Sequence, residues 1–148
     1  MMPFQGLSRA ARLPTARYSA MPVAAPGLDQ ETLDVLDESI EIDLVTPRRD
    51  GSISRRPIWV VVVDGDAYVR SYLAARGAWY QRVLVDGQAT IAFDSRSVDV
   101  GMEPAPDPDV NRRVSDAFQA KYGERAPGPT ELMVSPEVTE TTLRLTSR

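Results

Sequence analysis

The segment 58-IWVVVVDGDAYVRSY-72 combines an uninterrupted run of β-branched and aromatic residues, Ile58 to Val63, with Asp64-Gly65 and a second segment of β character from Ala67 to Tyr72. Six such residues without polar alternation describe a strand covered on both faces, and cover of that kind places the strand centrally in a sheet. Asp-Gly between two such segments is a two-residue hairpin signal, because both positions of the turn need positive φ. In the returning arm Tyr68, Arg70 and Tyr72 share one face, and Val69, Ser71 and Leu73 share the other.

Working outward, Ile40 to Thr46 alternates, with Ile40, Ile42 and Leu44 on the core side and Glu41 and Asp43 on the wet side, so it is a half-buried strand. Asp29 caps a short amphipathic helix before it, ending near Ser39. Residues 47–51 (Pro-Arg-Arg-Asp-Gly) form a turn, and Ser52 to Arg56 connects to Pro57. On the other side, Ala78 to Leu84 places Trp79, Tyr80, Val83 and Leu84 at helical spacing and is expected to be a short helix, while Val83-Leu84-Val85 before Asp86-Gly87 would also suit a hairpin arm. Ala89 to Phe93 and Ser97 to Met102 make a hairpin turning at Asp94-Ser95-Arg96. Asp107 caps, and Pro108 begins, a helix to Tyr122 with an apolar stripe of Val110, Val114, Ala117, Phe118 and Tyr122. A Pro/Gly-rich loop at residues 126–129 leads to Glu131-Leu132-Met133-Val134, and Thr141 to Thr146 is a terminal strand with Leu143 and Leu145 facing inward. The sum is a mainly β domain: six antiparallel strands in a small barrel or sandwich, with one long packing helix.

Composition narrows the chemistry. The 148 residues are 43% hydrophobic and 26% charged, the proportions of a single globular domain. There is no Cys and no His, which removes disulfides, thiolate nucleophiles, imidazole bases, Ser-His-Asp triads and zincin-type metal sites. Chemistry falls to carboxylates, Arg, Tyr, Ser/Thr, the lone Lys121 or a bound cofactor. Arg9, Arg12 and Arg17 stand in an acid-free opening segment, leaving 14 of the 17 basic residues against all 21 acids from Asp29 onward. A body that acidic repels nucleic acid. No apolar run is long enough for a membrane span, and the expected setting is cytoplasmic. Residues 1–27 read as a disordered extension, or as the product of a misplaced start codon with Met21 as an internal start, ahead of a domain over residues 28–148, with organelle import as the alternative. No GxG or Walker pattern occurs among the nine glycines. What remains is a cationic and aromatic cluster about the central hairpin: Arg55, Arg56, Arg70, Ser71, Arg76, Trp79, Tyr80 and Arg82.

The order TPRRDG (46–51), RRPIWVVVVDGDAYVRS (55–71), RGAWYQRVLVDG (76–87), a strand pair and a helix ending KYG (121–123) resembles the flavin-binding split-barrel superfamily, the pyridoxamine-phosphate-oxidase-like proteins. It is most similar there to uncharacterised bacterial proteins neighbouring the deazaflavin-dependent nitroreductases. The resemblance runs from Ile40 to about Gly123. It departs from the nitroreductases where their Asn-Leu is replaced by Arg82-Val83-Leu84 and where their phosphate-binding Lys is missing. It implies a six-stranded split β-barrel that binds FMN or a deazaflavin coenzyme between the subunits of a homodimer and acts as an oxidoreductase on a small organic substrate. It further implies that Arg70, Ser71, Arg76, Trp79, Tyr80 and Arg82, with Arg55 and Arg56 flanking, surround the phosphate end of the cofactor. The alternative is a non-catalytic module that binds a flavin, a haem-like ligand or a partner protein. Residue by residue the plainer readings stay open: Arg70 as a surface ion pair, Trp79 and Tyr80 as core aromatics, Arg48 and Arg49 as a solvated turn, Trp59 as core or dimer interface.

Overall fold

The computed structural model describes residues 25–148. In chain order they form α1 (Gln30–Glu38), β1 (Ile42–Pro47), β2 (Ile53–Ile58), β3 (Val61–Val63), β4 (Asp66–Val69), a 3-10 turn (Ala74–Arg76), α2 (Ala78–Asp86), β5 (Gln88–Phe93), β6 (Arg96–Pro104), α3 (Pro108–Tyr122), α4 (Pro127–Met133), α5 (Pro136–Thr139) and β7 (Leu143–Ser147). All strand pairs are antiparallel, in the order β2-β1-β5-β6-β7-β4-β3. The fold is mainly β, as the sequence indicates, in a curled sheet of seven strands rather than six. The extra one is β2, in the segment expected to be a connector. Its Ser54-Arg55-Arg56-Pro57 stretch shows little apolar alternation because only Ser54 and Ile58 are buried, and its Pro57 is tolerated because β2 is an edge.

The apolar run 58–63 is not a central strand. It leaves one edge of the sheet at Ile58 and enters the opposite edge at Val61, so the two outermost strands follow each other in the chain with only Trp59 and Val60 between them. That short crossing curls the sheet towards closure. Cover on both faces is nevertheless correct: Val60 and Val62 pack into the barrel interior, while Val61 and Val63 pack beneath α3. A covering helix hides an edge strand as fully as two neighbouring strands would. Val60, wholly buried, finds its backbone partners on α3 instead of a strand. Its N–H donates to the Tyr122 hydroxyl at 3.2 Å, and its carbonyl accepts from Lys121 Nζ at 2.7 Å.

Two apolar clusters result. Inside the curl lie Ile42 and Leu44 of β1, Ala89, Ile91 and Phe93 of β5, Val100 and Met102 of β6, and Leu143 and Leu145 of β7, with Leu33 and Leu36 of α1 closing one end. The period of two in each strand selects these residues. Outside lies the α3 stripe, Val114, Phe118 and Tyr122, each fully buried against Val61, Tyr68, Met133 and Val138. Truncating a ring such as Phe118 to Ala costs about 3–5 kcal/mol. The Asp64-Gly65 hairpin has φ of +50° and +82°, as the two-residue turn requires. Asp107 caps α3 as expected, accepting from Asp109 N–H at 2.8 Å.

Residues 126–129 do not form a loop: Pro127 opens α4 and Pro136 opens α5. Proline is acceptable there because a first helical turn has no partner for the missing N–H. The expected N-terminal extension lies mostly outside the described residues. Within them, Pro26 and Gly27 run beside the last strand, with Ser147 N–H donating to the Pro26 carbonyl. No helix among the described residues is long and apolar enough to cross a membrane.

Candidate functional site

The crossing at Trp59 leaves a notch between the end of β2 and the turn that follows β4, and a cavity of about 370 Å³ occupies it. Such a volume sits at the small end of the usual range for ligand pockets, roughly 300–1,000 Å³, enough for a ring system. Its apolar walls are Pro57, Ile58 and Trp59 on one side and Ala78 and Trp79 on the other, with Pro129 and Met133 of α4 beneath. Trp59 is held rigidly, stacked on Tyr122 with ring centroids 4.0 Å apart and planes 2° apart. Trp79 meets Tyr80 edge-on at 6.2 Å. Tyr72 and Leu73, both half exposed, stand at the mouth.

The turn that carries Trp79 is built by Ser71 and Gly77. The Ser71 hydroxyl donates to the Ala74 carbonyl at 2.7 Å, and its N–H donates to Thr141 Oγ1 at 2.9 Å. A Cβ on Gly77 would collide with that hydroxyl, so the residue before α2 must be Gly. Ala74 has φ of +59°, a left-handed conformation that costs a residue with a Cβ about 1–2 kcal/mol.

Arg70 forms the floor and is the largest fully buried side chain, 1% exposed. Nε donates to Thr142 Oγ1 at 2.8 Å. Nη1 donates to Ser115 Oγ at 2.9 Å and the Met133 carbonyl at 3.0 Å. Nη2 donates to the Asn111 carbonyl at 3.0 Å and, more weakly, to Asn111 Oδ1 at 3.4 Å. These five contacts match the five donors of a guanidinium. Desolvation lowers the Arg70 pKa to about 10, so the group is still a cation at neutral pH. Its N–H groups are committed to protein, and it offers the cavity a positive field and an aliphatic stem.

The residues singled out in the sequence therefore separate. Arg56, Arg70, Ser71 and Trp79 meet at this cavity. Arg82 does not; its Nε donates to the buried Thr46 hydroxyl at 3.0 Å, and it lines an adjoining groove with Arg48 and Arg49 that shares only Ala78 with the cavity. Tyr80 packs against the barrel core, its hydroxyl pKa raised first by burial and then by Glu140. Arg55 pairs with Asp43 at 3.0 Å across β1 and β2, exposed. Arg76 ends the 3-10 turn in solvent. The Arg56 side chain enters none of the hydrogen bonds or ion pairs among the described residues, which leaves it as a cation without a partner on the wall. Sequence reasoning did not place Trp59, Glu41 or Met133 in the site. A Trp inside a valine run was the available signal, since Val would have filled a plain strand. Arg48 is a turn residue as expected, its Nη1 donating to the Ile53 carbonyl at 2.9 Å, yet the same turn carries it to Arg82.

The comparisons with known proteins agree with this architecture. The family described as "Uncharacterized protein conserved in bacteria (DUF2255)" matches residues 32–145. A conserved hypothetical protein of Mycobacterium tuberculosis superposes with a TM-score of 0.55 at 17% identity, over 83% of this chain and 81% of that one. A FAD-binding protein of Mesorhizobium loti gives 0.54 at 16% identity, over 80% and 86%. The haem storage protein HutZ of Vibrio cholerae gives 0.52 at 18%, over 82% and 91%. No curated protein matches the sequence. The chain shares the mainly β, split-barrel fold of these structures.

Proposed function

We propose that this chain, which belongs to the DUF2255 family, is an oxidoreductase that binds FMN or a deazaflavin and acts on a small organic substrate. The observation that carries the reading is the pairing of one tryptophan-walled cavity with one arginine groove at the start of α2. Trp59 and Trp79 fit the flat faces of a tricyclic ring. Arg82, with Arg48 and Arg49, fits a phosphate, which guanidinium groups grip by charge-assisted hydrogen bonds. The two spaces meet at Ala78, so one ligand spans both. The cofactor supplies hydride transfer; the chain supplies orientation, charge matching and a dry wall. Ser71 and Gly77 fix the turn that presents Trp79, Arg70 keeps a positive field under the cavity, and Arg56 stands at the wall as a free cation for an anionic edge of ring or substrate. No His or Cys is needed for these tasks. Arg70 and Ser71 take part as the floor of the site rather than as direct phosphate ligands.

A second copy of the chain completes the site in this reading, covering Tyr72 and Leu73 at the mouth. Light scattering at micromolar concentration then gives a two-chain particle, and a single-chain particle rejects that part of the proposal. The second functional reading, a non-catalytic module for a flavin or haem-like ligand, is favoured by the likeness to HutZ. In a chain without His or Cys, haem iron would have to be held by a group such as Tyr72 or Met133 on the cavity wall.

The test is titration of the purified chain with FMN and with deazaflavin, repeated on Arg82→Gln and on Arg112→Gln. Arg82→Gln binds about tenfold or more weakly, because a charge-assisted contact is worth roughly 1.5–3 kcal/mol, and Arg112→Gln binds like the parent. Equal affinity of the two variants, or no binding of either cofactor, removes the proposal. Bleaching of the bound cofactor by a reductant and its recovery with an acceptor identify an oxidoreductase; binding without that cycle identifies the module.

A further inference from the structure

We propose that a second cavity, on the far side of Arg70, binds the carboxylate of a small organic acid. Arg70 is a buried cation that no carboxylate meets: none of the ion pairs among the described residues includes it, and residues 1–24 contain no acid. Arg144, also largely buried, shows the usual arrangement, with Asp66 at 3.1 Å and Glu103 at 3.0 Å. A buried charge without a counter-charge is costly even when fully hydrogen-bonded. An anion from outside the chain would supply the missing partner.

The geometry says where that anion sits. Three residues that hold the guanidinium, Asn111, Ser115 and Thr142, form the floor of a cavity of about 490 Å³. The hydroxyl of Thr142 is spent on the Thr139 carbonyl at 2.6 Å. The amide of Asn111 is spent on the carbonyls of Ala105 and Asp107 at 2.8 and 3.1 Å. Ser115 differs. Its Oγ accepts from Arg70 Nη1 at 2.9 Å, and none of the hydrogen bonds among the described residues uses its own proton. That proton is a donor, polarised by the cation behind it, at the floor of an open cavity. An acceptor bonded to it lies one hydroxyl away from Arg70.

The remaining lining chooses the ligand. Pro104, Ala105, Pro106 and Pro108 give one side an apolar surface for a short hydrocarbon body. Arg112 is on the rim, with one nitrogen tied to Asp109 at 3.0 Å, and Glu140 stands opposite. Asp109 neutralises Arg112, and the exposed, solvent-screened Glu140 carboxylate repels a dianion more than a monoanion, so the site takes a single carboxylate in preference to a phosphate dianion. Arg70 borders both cavities, but Ser115 and Arg112 line only this one, so failure of the flavin reading leaves this site standing.

The experiment is an NMR titration of the full ¹⁵N-labelled chain with butyrate, 1-butanol and inorganic phosphate. Butyrate produces saturable shifts at the amides of Asn111, Ser115 and Thr142. 1-Butanol, which keeps the apolar body without the charge, binds at least tenfold more weakly, and phosphate binds more weakly than butyrate. Ser115→Ala weakens butyrate about tenfold, one charge-assisted hydrogen bond. Arg112→Gln, on the exposed rim, weakens it severalfold and keeps the test valid if Ser115→Ala fails to fold. Butanol binding as well as butyrate, phosphate binding more tightly, indifference of butyrate to both substitutions, or shifts confined to Arg48, Arg49 and Arg82 would each overturn the assignment.

Discussion

Replacing Arg70 by Met keeps a long unbranched side chain on the floor of the tryptophan-walled cavity and removes the guanidinium. In the native chain that group is 1% exposed and serves as donor to Thr142, Ser115, Met133 and Asn111. The hydroxyls of Ser115 and Thr142 lose an incoming bond but remain able to rotate, and the Asn111 carbonyl lies within α3. The Met133 carbonyl, at the end of α4, has no other partner among the described hydrogen bonds and is left orphaned. A buried unsatisfied group costs about 1–3 kcal/mol, and lost bonding to the remaining acceptors brings the expected destabilisation to roughly 2–4 kcal/mol. Relief from burying a charge opposes it and is the reason the figure stays below the sum of five bonds. Urea unfolding followed by far-UV circular dichroism measures the difference, with Ser115→Ala expected to cost only about 0.5–1.5 kcal/mol. A variant Arg70→Met as stable as the parent, or more stable, would refute the reasoning: desolvation of the cation would then outweigh everything its hydrogen bonds return.

Ala74→Gly should stabilise the chain by about 1 kcal/mol in the same assay, because φ of +59° carries no penalty without a Cβ; a loss of stability would contradict the strain. Burial lowers the Lys121 pKa from 10.5 to about 8, so the folded chain binds fewer protons than the unfolded chain between those values and stability should rise with pH from about 8 to 10.5. Lys121→Met should flatten that rise, whereas an unchanged profile would show that another group causes it; Tyr122, pushed up to about 12 by burial, acts in the opposite sense at higher pH. Trp79→Ala should weaken flavin binding at least tenfold while leaving the fold intact, since Trp79 is only half buried; unaltered affinity would remove it from the site.

Much of this was legible because local chemistry decided it. Asp64-Gly65 could form only one kind of turn, and Asp107-Pro108 with an apolar stripe to Tyr122 could form only a helix. The β2–β3 crossing was not legible, since nothing local distinguishes a strand buried between neighbours from an edge buried under a helix. The difference lies in Tyr122 and Lys121, some sixty residues away, which bind the backbone of Val60. The site divided for a similar reason. Arg70 and Arg82 are chemically alike in sequence, but one is turned inward onto Thr142, Ser115 and two carbonyls while the other reaches Thr46 and a solvent groove. Trp59 stood within a hydrophobic run, where a core role and a ligand wall look the same. The helix at Pro127 is not legible because Pro127, Gly128 and Pro129 together carry a loop signal and no capping side chain precedes them, although a first helical turn accepts proline.

The chain contains two tryptophans, and both line the proposed flavin cavity, so tryptophan fluorescence reports on that cavity. Titration with FMN and with deazaflavin, excited at the tryptophan band, tests the central claim directly. Saturable quenching of most of the emission by at least one cofactor is expected, with Trp59→Phe and Trp79→Phe each retaining a quenchable signal. Emission unchanged by either cofactor up to millimolar concentration, or quenching that persists undiminished when Arg82, Arg48 and Arg49 are all replaced by Gln, would contradict it.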